Sequence, residues 1–125
     1  MPFRAMRRNE TILVVEDDRS LRHLYWQALT FEGFHVISAW DGIIALECLH
    51  HTRPSLVVLD LNVPGLPGGE ILREMRAQPG MREIPVVVVT GADPADVAAQ
   101  VAALFVKPVP VCQVVEEVQR QVNTA

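Results

Sequence analysis

Short apolar runs alternate with longer amphipathic stretches along the chain. The runs are TILVV (11–15), FHVIS (34–38), SLVVLD (55–60), IPVVVVTG (84–91) and ALFV (103–106). They are rich in β-branched residues and lack the polar alternation of a strand with one wet face. They therefore predict strands buried on both sides. Between them, apolar residues recur every three or four positions, which predicts helices. One covers 19–32, with Leu21, Leu24, Tyr25, Ala28 and Leu29 on one face. Others cover 41–51, with Ile44, Ala45, Cys48 and Leu49 aligned, and 68–77, with Ile71, Leu72 and Met75 inward. A short helix is expected near 94–102, and a last one over 110–122 with Val111, Val114, Val115, Val118 and Val122 on its stripe. Asp18 is the natural N-cap of the first helix and Gly33 its stop.

Five β–α units in a row imply an α/β fold: a doubly wound (βα)5 three-layer sandwich around a five-stranded parallel sheet. The 125 residues suit one domain, and half of them are hydrophobic, enough for a core on each side of the sheet. A net charge of −4 argues against a basic nucleic-acid-binding face. Residues 1–9 read as a loose tail before a domain over 10–125. TILVV is too short for a signal segment and runs straight into EDD, and no apolar run reaches membrane-spanning length. Cys48 and Cys112 lack CxxC spacing and read as buried, reduced thiols of a cytoplasmic protein. Arg73 and Arg76 read as solvated. His23, His35, His50 and His51 are not spaced with acids as a metal set, although His50 and His51 suit the end of a helix.

In a doubly wound sheet, ligands bind beyond the carboxyl ends of the strands. There the first strand offers Glu16, Asp17 and Asp18, the third Asp60, the fourth Thr90 and Gly91, and the fifth Lys107. Lys107 is the only lysine in a chain whose other basic residues are arginine. Clustered carboxylates repel one another, and a hard divalent cation with oxygen ligands, such as Mg²⁺, relieves that repulsion. A carboxylate, Mg²⁺, an ammonium and a hydroxyl around one gap suit a phosphoryl group.

The motifs ILVVEDD, LVVLDLNVPGLPGG, VVVVTG and FVKPV, in this order and on these strands, resemble the receiver domain of two-component response regulators. The resemblance covers about residues 10–123. It implies the flavodoxin/CheY-like strand order 2-1-3-4-5. It also implies that Asp60 accepts a phosphoryl group from the phosphohistidine of a histidine kinase or phosphotransfer protein. Asp17 would bind Mg²⁺ directly, Glu16 through water, and Asn62 through its backbone carbonyl, with Asp60 completing the set. Thr90 and Lys107 would contact the phosphoryl oxygens, and Gly91 would leave room for them. Such a domain switches a protein-interaction surface for a downstream partner and loses its phosphoryl group slowly to water. It is a signalling domain and not an enzyme with a separate substrate. The Lys107–Pro108 bond is typically cis in this family.

Four features depart from that pattern, one of them the absence of the glycine usual before the fifth strand. Only 17 positions separate Thr90 from Lys107, so the 94–102 region is short. Leu104 stands where an aromatic switch residue is usual, while Phe105 points to the other side of the strand. Pro67 occupies a loop position where an acidic residue is common. A docking module of the same fold that is never phosphorylated is one alternative. A Mg²⁺-dependent phosphoryl-transfer enzyme is another, but Asn62 stands where a haloacid-dehalogenase phosphatase needs a second aspartate.

Overall fold

In the computed structural model, which describes residues 8–123, each apolar run forms a strand and every strand pairing is parallel. The strands are β1 (Thr11–Val15), β2 (His35–Ala39), β3 (Leu56–Leu59), β4 (Val86–Thr90) and β5 (Ala103–Val106). They lie in the order β2-β1-β3-β4-β5. The helices are α1 (Arg19–Phe31), α2 (Gly42–Thr52), α3 (Gly68–Ala77) and α4 (Val111–Asn123).

Alternation within the strands divides their side chains between two cores. Ile12, Val14, Leu56, Val58, Val87 and Val89 face Tyr25 and Leu29 of α1 and Val114, Val115 and Val118 of α4. Leu13, Val15, Val57, Leu59, Val86 and Val88 face Ala45 and Leu49 of α2 and Ile71, Leu72 and Met75 of α3. Leu104 joins the second group and Phe105 the first, as alternation demands.

Local chemistry sets the helix ends. The Asp18 carboxylate accepts from the Leu21 N–H at 3.0 Å, and Asp41 caps α2 by accepting from the Ile44 N–H at 2.8 Å. Gly33, at φ 95°, turns the chain out of α1 toward β2. Residues 1–7 of the expected tail lie outside the described residues. Arg8 is tied to the fold: its N–H donates to Gly33 O, its guanidinium pairs with Glu10 at 3.2 Å, and it lies 4.5 Å over the Phe34 ring.

The structure differs from expectation at five places. The strands β2 and β5 are only partly buried, and Val106 is exposed, because each lies at an end of the sheet with a neighbour on one side alone. The helix expected near 94–102 is reduced to one 3-10 turn, Ala98–Gln100. Only residues 91–102 are available to return from the carboxyl end of β4 to the amino end of β5. A 3-10 turn advances about 2.0 Å per residue against about 1.5 Å for an α-helix, so it covers that distance with fewer residues. Val97 is the only buried residue of this connection, too small an apolar face to hold a short α-helix. Leu24 is exposed, because α1 directs Tyr25 and Leu29 at the sheet. Cys112 is exposed on α4, two positions before Val114 of the buried stripe, while Cys48 is half-buried; both are free thiols. Arg76 is half-buried and not solvated. Its guanidinium donates to the carbonyl oxygens of Arg82 (3.0 Å), Ile84 (3.1 Å) and Gln100 (2.9 Å). It thereby ties α3 to the segment before β4 and to the β4–β5 connection.

Candidate functional site

The strand ladders continue one residue past the apolar runs, and that residue carries the chemistry. The Glu16 N–H donates to Ala39 O, Asp60 N–H to Val15 O, and Lys107 N–H to Thr90 O, all at 2.9–3.0 Å. The backbone therefore fixes where each polar side chain starts. Glu16 and Asp60 are buried and Asp17 is exposed, and the three offer carboxylate oxygens within 4.8 Å of one another.

Lys107 reaches across this group. Its Nζ donates to Glu16 Oε1 and to Asp60 Oδ2, each at 2.9 Å. Asp60 Oδ1 accepts from Thr90 Oγ1 at 2.9 Å and from the Asn62 N–H at 3.0 Å. The free Oε2 of Glu16 accepts from the Asp18 N–H at 3.0 Å. Burial pushes the Glu16 carboxyl above the usual range, and the Lys107 and Asp18 hydrogen bonds only partly offset it. Burial alone would disfavour the Lys107 ammonium. Its hydrogen bonds to Glu16 and Asp60, and their charges, outweigh that and hold its pKa above the ordinary value.

Two flanking loops complete the cleft. Gly68 begins α3 close to the β3 exit: a Cβ there would lie 2.5 Å from Leu61 Cα and 2.9 Å from Asp60 O. Only glycine permits this approach. Gly91, after Thr90, opens the other way, since a Cβ there would meet nothing within 4 Å. The Lys107–Pro108 peptide is cis.

Three carboxylates face one ammonium, so the donor set is electron-rich and entirely oxygen. The Asp17 carboxylate makes no hydrogen bond or ion pair among the described residues. The cluster of Glu16, Asp17 and Asp60 could thus hold a hard divalent cation such as Mg²⁺.

Residues 12–110 match the response regulator receiver domain. The chain belongs to this family. As a receiver domain it is 40% identical over 93 residues to response regulator MprA of Mycobacterium sp. (strain KMS), across 74% of this chain and 39% of that protein. It thus spans about two fifths of the length of the curated relatives it matches. Its fold superposes on a CheY-like response regulator receiver domain protein from Methanospirillum hungatei JF-1 with a TM-score of 0.81 and 26% identity, covering 92% of this chain and 94% of that one. It superposes equally on the receiver domain of sensor histidine kinase PA1611 from Pseudomonas aeruginosa PAO1, at TM-score 0.79, 24% identity and coverage of 93% and 99%. That structure is described with a magnesium ion coordinated in its active site cleft.

The receiver cleft also involves a residue that the periodicity did not mark. Arg22 donates to the carbonyl oxygens of Glu16 (2.9 Å) and Asp17 (3.2 Å), and its guanidinium lies 6.0 Å from the Trp40 ring. Its place one turn into α1 from the acidic loop was the available signal. No helix among the described residues is long and apolar enough to cross a membrane.

Proposed function

We propose that this receiver domain, over residues 10–125, accepts a phosphoryl group on Asp60 from the phosphohistidine of a histidine kinase or histidine phosphotransfer protein in the cytoplasm. The observation that carries this reading is the two-sided hold on the buried Asp60 carboxylate, by Thr90 on Oδ1 and Lys107 on Oδ2. An Asp60 oxygen attacks phosphorus in line. A P–O bond forms, the P–N bond breaks, and the imidazole keeps the electron pair. Lys107 and Thr90, already within hydrogen-bond reach, turn from the carboxylate to the phosphoryl oxygens, whose added charge they stabilise. Gly91 leaves that side of the cleft open. Asp17, Asp60 and the Asn62 carbonyl would hold Mg²⁺, with Glu16 acting through water, and the bound ion would supply charge neutralisation of the phosphoryl oxygens. Water later cleaves the acyl phosphate, which returns the Asp60 carboxylate and inorganic phosphate. The motion of Thr90 and Lys107 biases the β4–β5 connection, β5 and α4 toward a surface read by a downstream protein.

Intact-mass analysis after incubation with acetyl phosphate tests this. One Mg²⁺-dependent phosphoryl adduct on the wild type, absent from Asp60→Asn, is expected. No adduct, where a control receiver is labelled, overturns it in favour of a docking module that is not phosphorylated.

A further inference from the structure

The buried side of the cleft holds a polar group that the proposed reaction does not use. Tyr25 is 1% exposed in the α1 core, and its hydroxyl has no hydrogen-bond partner among the described residues. A phenylalanine would fill the same space without stranding a donor. Strand alternation shows which charged groups share that side of the sheet. Glu16 follows Ile12 and Val14 in phase, Asp60 follows Leu56 and Val58, and Lys107 follows Ala103 and Phe105. All of these apolar residues lie on the α1 side, so the three charged groups leave the strands toward the side that holds Tyr25. Burial, with the carboxylate charges of Glu16 and Asp60 nearby, pushes the Tyr25 phenol up to about 12, although the Lys107 ammonium opposes it.

We propose that Tyr25 is a positioning residue whose hydroxyl donates to Glu16 once Lys107 has turned from Glu16 to a phosphoryl oxygen. This rests on the phosphoacceptor reading given above. In the free protein Lys107 occupies Glu16 Oε1 at 2.9 Å. When the ammonium leaves, that oxygen stays buried with the Glu16 side chain, which is only 3% exposed, and it loses one donor even where a cation-bound water supplies another. The Tyr25 hydroxyl on the same side meets the need. It has no partner to give up, so the gain appears only in the phosphoryl-bound state.

The test uses Tyr25→Phe with two readouts. One is the urea midpoint of the free protein in a chelator. The other is the affinity for beryllofluoride in Mg²⁺, a phosphoryl mimic, measured by calorimetry. The expected result is a midpoint no lower than wild type, because the lost hydroxyl was unpartnered, together with affinity weakened about 10-fold or more, as for one hydrogen bond to a charged group. A core tyrosine that only fills space would not give opposite signs. Unchanged affinity in Tyr25→Phe, with the wild type binding, overturns the inference alone. So does weaker affinity that merely follows a matching fall in stability. A wild type that binds no beryllofluoride overturns the phosphoacceptor reading, and this inference with it.

Discussion

The Lys107 ammonium lies 2.9 Å from Asp60 Oδ2, although 47 positions separate the two residues in the chain. Parallel order makes this contact possible: β3 and β5 both end at the same edge, with β4 between them. The same ammonium holds Glu16, so one cation joins the ends of β1, β3 and β5.

Replacing that cation therefore leaves two buried carboxylates in mutual repulsion. Lys107→Met is expected to lower stability at pH 7 by about 1–3 kcal/mol, less than a fully buried pair would lose because the lysine keeps some solvent contact. The sign of the pH dependence follows from Glu16. Its folded pKa is already raised from the ordinary 4.5, and loss of Lys107 raises it further. The unfolded chain then ionises first. The penalty is present at neutral pH and shrinks as pH falls through the folded pKa toward the unfolded value. Urea midpoints of both proteins at pH 7 and pH 5, in a chelator, measure this. An equal penalty at both values would rule out carboxylate repulsion as its cause.

Gly68 is the second point of leverage. A Cβ there would press on backbone at Leu61 and Asp60, and backbone cannot swing aside as a flexible side chain does. Gly68→Ala is expected to cost about 1–3 kcal/mol and to slow acetyl phosphate labelling of Asp60. Gly69→Ala, with nothing within 4 Å of its added Cβ, is the control and is expected to do neither. Equal losses from the two variants would rule out crowding at Gly68 as the cause, since alanine favours a helix over glycine at both positions.

The strand ends were legible because a buried parallel strand admits almost no polar side chain, so each polar group after an apolar run stands out. Glu16, Asp60, Thr90 and Lys107 were visible for that reason, and they do converge. ALFV matches β5 in its bounds, although that edge strand is only partly buried, and the stripe of Ile71, Leu72 and Met75 gave α3 its full span. The 94–102 segment misled because Asp93 and Pro94 make a good helix start, while helix persistence depends on a buried face that only Val97 provides. Arg76 and Tyr25 were opaque for a different reason. An arginine stem covers apolar surface while its head finds carbonyl groups, and a tyrosine in a helical stripe reads as plain core. Partners from distant elements decide both, and periodicity carries no information about those.

Arg76 offers a measurement of how the shortened connection is held. Its fork reaches three carbonyl groups in two segments, which a single ammonium cannot match. Arg76→Ala is expected to lower stability by about 1–3 kcal/mol, and Arg76→Lys to recover less than half of that, read from urea unfolding. Amide exchange near Gln100 is expected to rise in both variants. Full rescue by lysine would mean that charge alone, and not the planar geometry, secures the connection.

Trp40 is placed to report on the acidic cluster without belonging to it. It follows β2 and is half-exposed. Arg22 links the two, with one end on the carbonyl oxygens of Glu16 and Asp17 and its plane 6.0 Å from the Trp40 ring. A divalent cation drawn to Asp17 pulls on the same loop, and the guanidinium beside the indole shifts with it. Mg²⁺ titration is thus expected to change the fluorescence of the wild type and of Trp26→Phe, but not of Trp40→Phe. Arg22→Met is expected to retain cation binding by calorimetry while losing most of the optical signal. A signal that persists in Trp40→Phe and vanishes in Trp26→Phe would instead place the responding element at α1, where Trp26 stacks on His23 at 5.9 Å.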